Sequence, residues 1–187
     1  ILNPDKSLQL SYVDFPNLWR EFLILSGLGR RVFGSWYPSH NPKQSRVLRP
    51  VDYVSGACLL MRRSAYDDVG GFDDTYFMYA EEVDLCYRMW QKGWQVWYQP
   101  EAVVLHLGGG SSQSIPAKRE TDLYQSRVLY FLKHHGRMSA ALLAGMIVLL
   151  TTLKSIVHKT LCRVSGGKYG REVVDPRTLL GELQSVL

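Results

Sequence analysis

Glycine and proline residues divide the middle of this 187-residue chain into short segments, and this punctuation limits the folds that the chain can adopt. Between Val51 and Ser112, short apolar runs end at Gly-Gly, Gly-Trp or Gly-Gly-Gly steps, a pattern typical of β-strands joined by tight loops. One run, from about Ala80 to Gln91, instead has helical spacing and is closed by Gly93. The mixture predicts an α/β fold for this zone.

The boundaries of the other elements follow from the same signals. The strands predicted in the middle zone are Val51–Ser55, Ala57–Met61, Trp94–Tyr98 and Ala102–Leu107, with one helical turn at Ser64–Val69. Residues 1–50 form a lead-in, predicted to contain a strand near Leu8–Tyr12, a helix from Pro16 to about Leu28 and a polar loop over Gly34–Arg49.

Residues 113–187 have the pattern of a helical tail. Pro116–His135 is predicted to be an amphipathic helix that Gly136 breaks, and Ser139–Leu153 is uncharged and mostly apolar. A spanning helix needs about 20 apolar residues. The shorter run, flanked by basic residues such as Lys154, favours a helix in a membrane interface, with a buried helix of a larger assembly as the alternative.

The composition limits the classes of molecule that the chain is expected to bind. The net charge is +5 and the pI is about 9.1, which suits an anionic membrane surface or a phosphate-bearing substrate. No zinc-finger spacing and no basic stripe interleaved with aromatic residues is present, so nucleic acid is not expected. The three scattered cysteines form no CxxC pair and fit a reducing compartment. Because the chain starts at Ile1 in mid-pattern, we expect a piece of a longer protein.

Three carboxylates crowd the start of the predicted central helix. A structural interpretation is available, because the helix dipole favours acidic residues there and Asp84 can pair with Arg88 four residues later. However, Glu81 and Glu82 project about 100° apart. One of them can therefore point into a cleft with a raised pKa, which suits a general base.

A single histidine stands where a second functional group could lie. His106 ends an apolar strand and is followed by Gly108–Ser112, so it is a candidate metal ligand or phosphate contact, although an isolated strand histidine is more often structural. The Gly-rich loop lacks the Lys of a Walker motif. Nearby aromatic residues could stack on sugars, but their alternation favours a place in the core: Trp90, Trp94, Trp97 and Tyr98.

Several motifs occur together in a recognisable order. They are Val54–Arg63 (VSGACLLMRR), Asp68–Asp73 (DVGGFD), Phe77–Arg88 (FMYAEEVDLCYR), Gly93-Trp94, Pro100 and His106–Gly109 (HLGG). In order and spacing they resemble family 2 glycosyltransferases, in particular bacterial rhamnosyltransferase-like and galactofuranosyltransferase-like enzymes that build surface polysaccharides. The resemblance covers about residues 1–135.

The resemblance implies a GT-A (Rossmann-like) fold and inverting transfer from a nucleotide-sugar donor to a glycan or lipid-linked acceptor. The base that deprotonates the acceptor hydroxyl would be Glu82, where the family often has Asp. His106 would join a divalent metal, Mg²⁺ or Mn²⁺, on the donor diphosphate. The residues that would contact substrate are Gly56, Ala57, Gly71, Phe72, Asp73, Glu81, Asp84 and Arg88.

The resemblance also implies what should lie outside this segment. No Asp-x-Asp motif precedes Val51, so we expect the nucleotide-binding half to precede residue 1 and the isolated chain to bind donor poorly. Residues 1–112 would be the acceptor-side, catalytic part of the domain and residues 113–187 its tail, with the protein cytoplasmic and peripheral at the inner face of the membrane. One alternative is a non-catalytic, membrane-associated or carbohydrate-binding remnant of the same scaffold. A metal-dependent hydrolase is a second alternative, but the sequence shows too few metal ligands for it.

Overall fold

The chain forms two compact units, Ile1–Gly110 and Ser111–Leu187. The computed structural model describes residues 1–9, 11–39, 46–108, 116–164 and 174–187. The first unit mixes helices with short strands and the second is helical. This confirms the predicted mixture of helix and strand followed by a helical tail.

Strand pairing brings the lead-in of the first unit against its middle zone. The elements in chain order are β1 (Tyr12–Val13), α1 (Leu18–Ser26), α2 (Leu28–Phe33), β2 (Arg49–Val51), β3 (Tyr53–Val54), α3 (Arg63–Asp68), α4 (Glu81–Gln91) and β4 (Val96–Tyr98). β1 pairs with β3 in an antiparallel register that sets Tyr12 opposite Val54. β2 pairs with β4, also antiparallel, with Val51 opposite Val96.

The core of this unit lies under α4. Leu85 and Met89 of α4 are buried with Ala65 of α3, and Trp94 packs against them. The apolar spacing of α4 explains this placement, because one stripe of the helix faces α3. The core therefore fixes the helix that carries the acidic cluster.

Two of the predicted strands are wrong. Ala57–Met61 forms no strand, and Leu60 is 97% exposed. A strand needs a hydrogen-bonding partner, and among the described residues none pairs with this run, which instead lines a cavity of about 420 Å³ beside the core. Ala102–Leu107 makes only an isolated parallel bridge, between Leu105 and Leu2.

The lead-in contains two helices where one was predicted. The side chain of Asn17 caps α1 by accepting from the backbone N–H of Arg20 at 2.9 Å. α1 ends at Gly27, whose φ of 74° is left-handed, and α2 begins immediately after it. The second helix lies partly beyond the predicted boundary at Leu28, and β2 begins at the end of the predicted loop.

The second unit consists of α5 (Pro116–Val164) and α6 (Pro176–Gln184). Gly136, with φ 80° and ψ 168°, breaks α5 at the predicted position. Asp175 caps α6 and Pro176 follows it, again as predicted. α6 packs on α5, and the segment Lys118–Arg163 has the length and composition that a membrane-crossing helix would need.

Candidate active site

Two residues in left-handed conformation set the direction of α4. Tyr79 has φ 70° and Ala80, which occupies the N-cap position, has φ 64°. For residues with a Cβ this conformation costs about 1–2 kcal/mol each. Such strain persists only where the surrounding structure enforces it, and it is concentrated at functional sites. Here the two left-handed residues set the direction in which the chain enters the first turn of α4, and this turn carries the carboxylates.

Glu82 is the carboxylate that faces the loop after β3. Its Oε1 accepts from the backbone N–H of Gly56 at 3.4 Å, a long contact. A Cβ placed on Gly56 would lie 3.7 Å from the Glu82 side chain, so the two segments are in van der Waals range. Oε2 of Glu82 is buried and has no hydrogen-bond partner among the residues that the structure describes; the same holds for Oε2 of Glu81, but only Glu82 also contacts Gly56. Oε2 of Glu82 can therefore accept a proton from a substrate hydroxyl.

The surroundings of Glu82 raise the pKa of its carboxyl above the ordinary glutamate value. Burial is the main cause, and the charge of Glu81 adds to it. The backbone N–H groups of Gly56, Glu82 and Val83 act in the opposite direction but do not reverse the shift. A carboxylate with a raised pKa binds a proton more strongly, which is what a general base requires.

The raised pKa of Glu82 predicts how stability varies with pH. The favourable contribution of a group whose pKa is raised by folding is complete below its unfolded pKa and is lost as the pH rises through the folded pKa. Relative to wild type, the free energy of unfolding of Glu82→Gln should therefore increase as the pH rises above 4.5, the ordinary glutamate value. Urea unfolding at a series of pH values measures this difference.

Glu81→Gln provides the matched comparison for this pH dependence. Removing the neighbouring charge lowers the pKa of Glu82, so the dependence should be weaker in this background. A constant difference between wild type and Glu82→Gln from pH 4.5 upward would contradict the assigned environment of Glu82.

Asp84 and Arg88 connect α4 to the Gly-Gly-Phe loop. Asp84 is fully buried and its Oδ2 accepts from Nε of Arg88 at 2.8 Å. The same guanidinium donates to the carbonyl of Val69 and, at 2.7 Å, to that of Gly71. The guanidinium of Arg88 thus donates three hydrogen bonds to protein acceptors, which supports a positioning role. The prediction that Asp84 and Arg88 contact substrate stays a prediction.

The loop held by Arg88 has a defined conformation. Gly71 has φ 75°, and a Cβ there would lie 2.9 Å from the Tyr66 ring, so only glycine fits. Phe72 packs edge-on against Tyr66 and keeps part of its ring exposed. Asp73 accepts from the backbone N–H of Thr75 at 3.0 Å and shapes the following turn.

The ring of His106 is oriented by Gln9. Nε2 of Gln9 donates to Asn3 Oδ1 at 2.7 Å and to the carbonyl of His106 at 2.6 Å. Because these donations fix the amide, Oε1 of Gln9 faces Nδ1 of His106 at 2.9 Å and accepts from it. The neutral ring then carries its lone pair on Nε2, the arrangement that metal-binding histidines use.

The structure brings some of the predicted site residues together and leaves others apart. Glu82 meets Gly56, and Arg88 meets Asp84 and Gly71, but no hydrogen bond or ion pair joins Glu82 to His106. The part of the chain that the structure describes holds no group of three or more metal-ligating side chains. Residues 109–112 of the Gly-rich loop that follows His106 lie outside the described residues.

The structure also gives the positions of the aromatic residues and identifies a residue that orients His106. Trp94 packs against the core, as predicted, and its indole N–H donates to Asp68 at 2.9 Å. The predicted core position is wrong for Trp90 and Trp97, which are exposed. Gln9 was not identified from the sequence. It stands 97 residues from His106, and the bridge between Leu2 and Leu105 helps to bring the two segments together.

Comparison with known protein families gives a match that includes the acidic helix and the loops around it. A family model described as glycosyltransferase-like family 2 matches residues 28–122, about half of the chain. The chain belongs to this family of glycosyltransferases. No solved structure matches the chain.

Three curated relatives show the same relationship. An N-acetylglucosaminyl-diphospho-decaprenol L-rhamnosyltransferase of Mycobacterium tuberculosis is 38% identical over 144 residues, which cover 73% of this chain and 45% of that protein. A rhamnosyltransferase of Escherichia coli is 37% identical over 68 residues, 36% of this chain and 26% of that protein. A pre-mycofactocin glycosyltransferase of M. tuberculosis is 46% identical over 56 residues, 30% of this chain and 12% of that protein. The chain therefore spans less than half the length of these relatives.

Proposed function

We propose that the first unit supplies the catalytic base and the acceptor side of a GT-A glycosyltransferase. The observation that carries this proposal is Glu82, whose buried, unpartnered Oε2 lies at the start of α4 in a setting that raises the pKa of the carboxyl. A sugar hydroxyl is a weak nucleophile, and a positioned carboxylate accelerates its attack. Family membership supports the same chemistry.

In the proposed reaction, Oε2 of Glu82 accepts the proton of the acceptor hydroxyl while the hydroxyl oxygen bonds to the anomeric carbon. The bond from that carbon to the nucleoside diphosphate breaks on the opposite face, so the configuration inverts. The clamp of Asp84 and Arg88 holds the Gly71 loop against α4 and positions Glu82 for this step.

A divalent cation, Mg²⁺ or Mn²⁺, fits this proposal in part. His106 would be one ligand, because Gln9 holds its Nδ1–H and leaves the lone pair on Nε2 for coordination. The remaining ligands would come from the donor diphosphate and from residues beyond those described. When bound, such a cation stabilises the negative charge on the departing diphosphate.

Metal removal and restoration tests the assignment of His106 in the full-length protein. We expect a chelator to abolish transfer and Mn²⁺ to restore it. His106→Ala should raise the Mn²⁺ concentration that restores half of the activity, and Gln9→Ala should raise it about 10–100-fold, the usual effect of losing such a support. His158→Ala, in the second unit, is the control. An unchanged Mn²⁺ dependence in His106→Ala contradicts the assignment.

For the substrates we propose a nucleotide-activated deoxyhexose as donor and a sugar carried on a polyprenyl diphosphate as acceptor. The support is the name of the mycobacterial relative, a rhamnosyltransferase that acts on N-acetylglucosaminyl-diphospho-decaprenol. Transfer assays of the full-length protein with a panel of nucleotide sugars and this class of acceptor test the proposal. Calorimetry of the full-length protein with nucleotide sugar and Mn²⁺ addresses the alternative of a non-catalytic remnant, since clear donor binding argues against it.

We also propose that the protein is cytoplasmic and peripheral at the inner face of the membrane. The support lies in the second half of α5, where one face packs in the interior through Leu143 and Ile147. The face that carries Leu142, Leu149 and Leu153 is exposed and apolar. Vesicle flotation of the 187-residue chain, compared with Leu149→Glu/Leu153→Glu, tests this contact.

A further inference from the structure

A second exposed apolar surface lies in the first unit, on α2 and the turn that follows it. Val32 is 67% exposed and Phe33 is 55% exposed. Trp36 is also exposed. Two exposed arginines, Arg30 and Arg31, precede them on the same short helix. We call these five residues the α2 patch.

The α2 patch is held in place from behind. Gly29 is the buried residue of α2, and a Cβ there would lie 2.3 Å from the Tyr37 ring. Phe33 stacks on the same ring, with 5.3 Å between the ring centroids. Tyr37 therefore contacts both ends of the helix and holds it in place.

The stretch of sequence that contains the α2 patch is basic. No Asp or Glu occurs between Glu21 and Asp52, whereas that stretch contains four arginines and one lysine: Arg30, Arg31, Lys43, Arg46 and Arg49. Among the described residues no acidic side chain forms an ion pair with Arg30 or Arg31. The arginines are thus available to an external anion.

We propose that the α2 patch docks the first unit onto an anionic lipid bilayer. Trp and Phe side chains favour the boundary between headgroups and acyl chains, and arginines beside them bind lipid phosphates. The patch combines exposed apolar residues with basic charge that no ion pair among the described residues neutralises. An anionic bilayer complements both features, whereas an uncharged partner surface would complement only the apolar residues.

The α2 patch belongs to the unit that contains Glu82, which gives the docking a consequence. Phe15, just before α1, packs against Tyr53 and Tyr87, and its backbone N–H donates to Asp52 at 2.6 Å. The segment that carries the patch is thereby joined to β3 and to α4. Docking through α2 would hold the catalytic unit itself at the surface, and α5 would not be its only attachment.

Vesicle binding of the 187-residue chain tests the proposal without any assay of transfer. The probes are vesicles of phosphatidylcholine with and without phosphatidylglycerol. Arg30→Glu/Arg31→Glu is expected to lower the partition coefficient on the anionic vesicles at least tenfold, since each arginine near such a surface contributes about fivefold. Val32→Ser/Phe33→Ser keeps the charge and is expected to weaken binding to both kinds of vesicle.

The controls separate the α2 patch from total charge and from α5. Lys6→Glu/Arg62→Glu makes the same charge change at exposed positions outside the patch and is expected to have a much smaller effect. Each variant is also made in the Leu149→Glu/Leu153→Glu background, so that binding through α5 cannot conceal the result. Circular dichroism checks folding. Equal losses from the patch and control charge variants, or no loss from the patch variants in either background, overturns the proposal.

Discussion

Glu82→Gln is expected to reduce sugar transfer by the full-length protein about 10²–10⁴-fold, the usual contribution of a general base. Glutamine preserves the shape of the side chain and can keep the contact with the Gly56 N–H, but it cannot accept the proton of the acceptor. The loss should fall on kcat, with donor affinity unchanged, since nothing in the geometry places Glu82 on the donor. Steady-state kinetics and donor calorimetry measure the two quantities separately.

Two substitutions at the same helix turn sharpen this test. Glu82→Asp keeps a carboxylate on a shorter side chain and should retain more activity than Glu82→Gln. Glu81→Gln should be active, and because it lowers the pKa of Glu82 it should shift the acidic limb of the pH profile of kcat/KM to lower pH. Near-normal turnover by Glu82→Gln would falsify the assignment of the base.

The acidic helix could be predicted from the sequence because its signals are local. Helical spacing, three acidic residues in the first turn and Gly93 after the last turn define α4 within one short window, and the structure places it at Glu81–Gln91. The same holds for the break at Gly136, where one residue with positive φ ends a helix. Both α4 and the break at Gly136 can be predicted without knowing which other segments they contact.

Features that depend on distant residues could not be predicted in this way. Ala57–Met61 has the composition of a strand, yet composition does not provide the partner that a strand requires. The ring of His106 is oriented by Gln9, 97 residues away, and no pattern in the sequence links them. The left-handed conformation of Ala80 has no local signal either, because alanine does not favour it.

Asp84→Asn is expected to destabilise the chain by about 3–5 kcal/mol, the usual cost of removing one partner of a buried ion pair. Asp84 is fully buried and the Arg88 side chain is 17% exposed, so asparagine would leave a charged guanidinium without its carboxylate in the interior. The total stability of a domain is about 5–15 kcal/mol, and a loss of this size would be evident as a large fall in the urea midpoint.

The chain contains its own control for this substitution. Arg63 and Asp67 form a second pair at the same helical spacing, with side chains 85% and 53% exposed. Asp67→Asn should therefore lower the free energy of unfolding much less than Asp84→Asn does. Asp84→Asn/Arg88→Met removes both buried charges and should recover part of the stability but not the activity, because the carbonyls of Val69 and Gly71 lose their shared donor. Equal costs for the two single substitutions would show that burial does not set the strength of the Asp84–Arg88 pair, and that the Gly71 loop is held by other contacts.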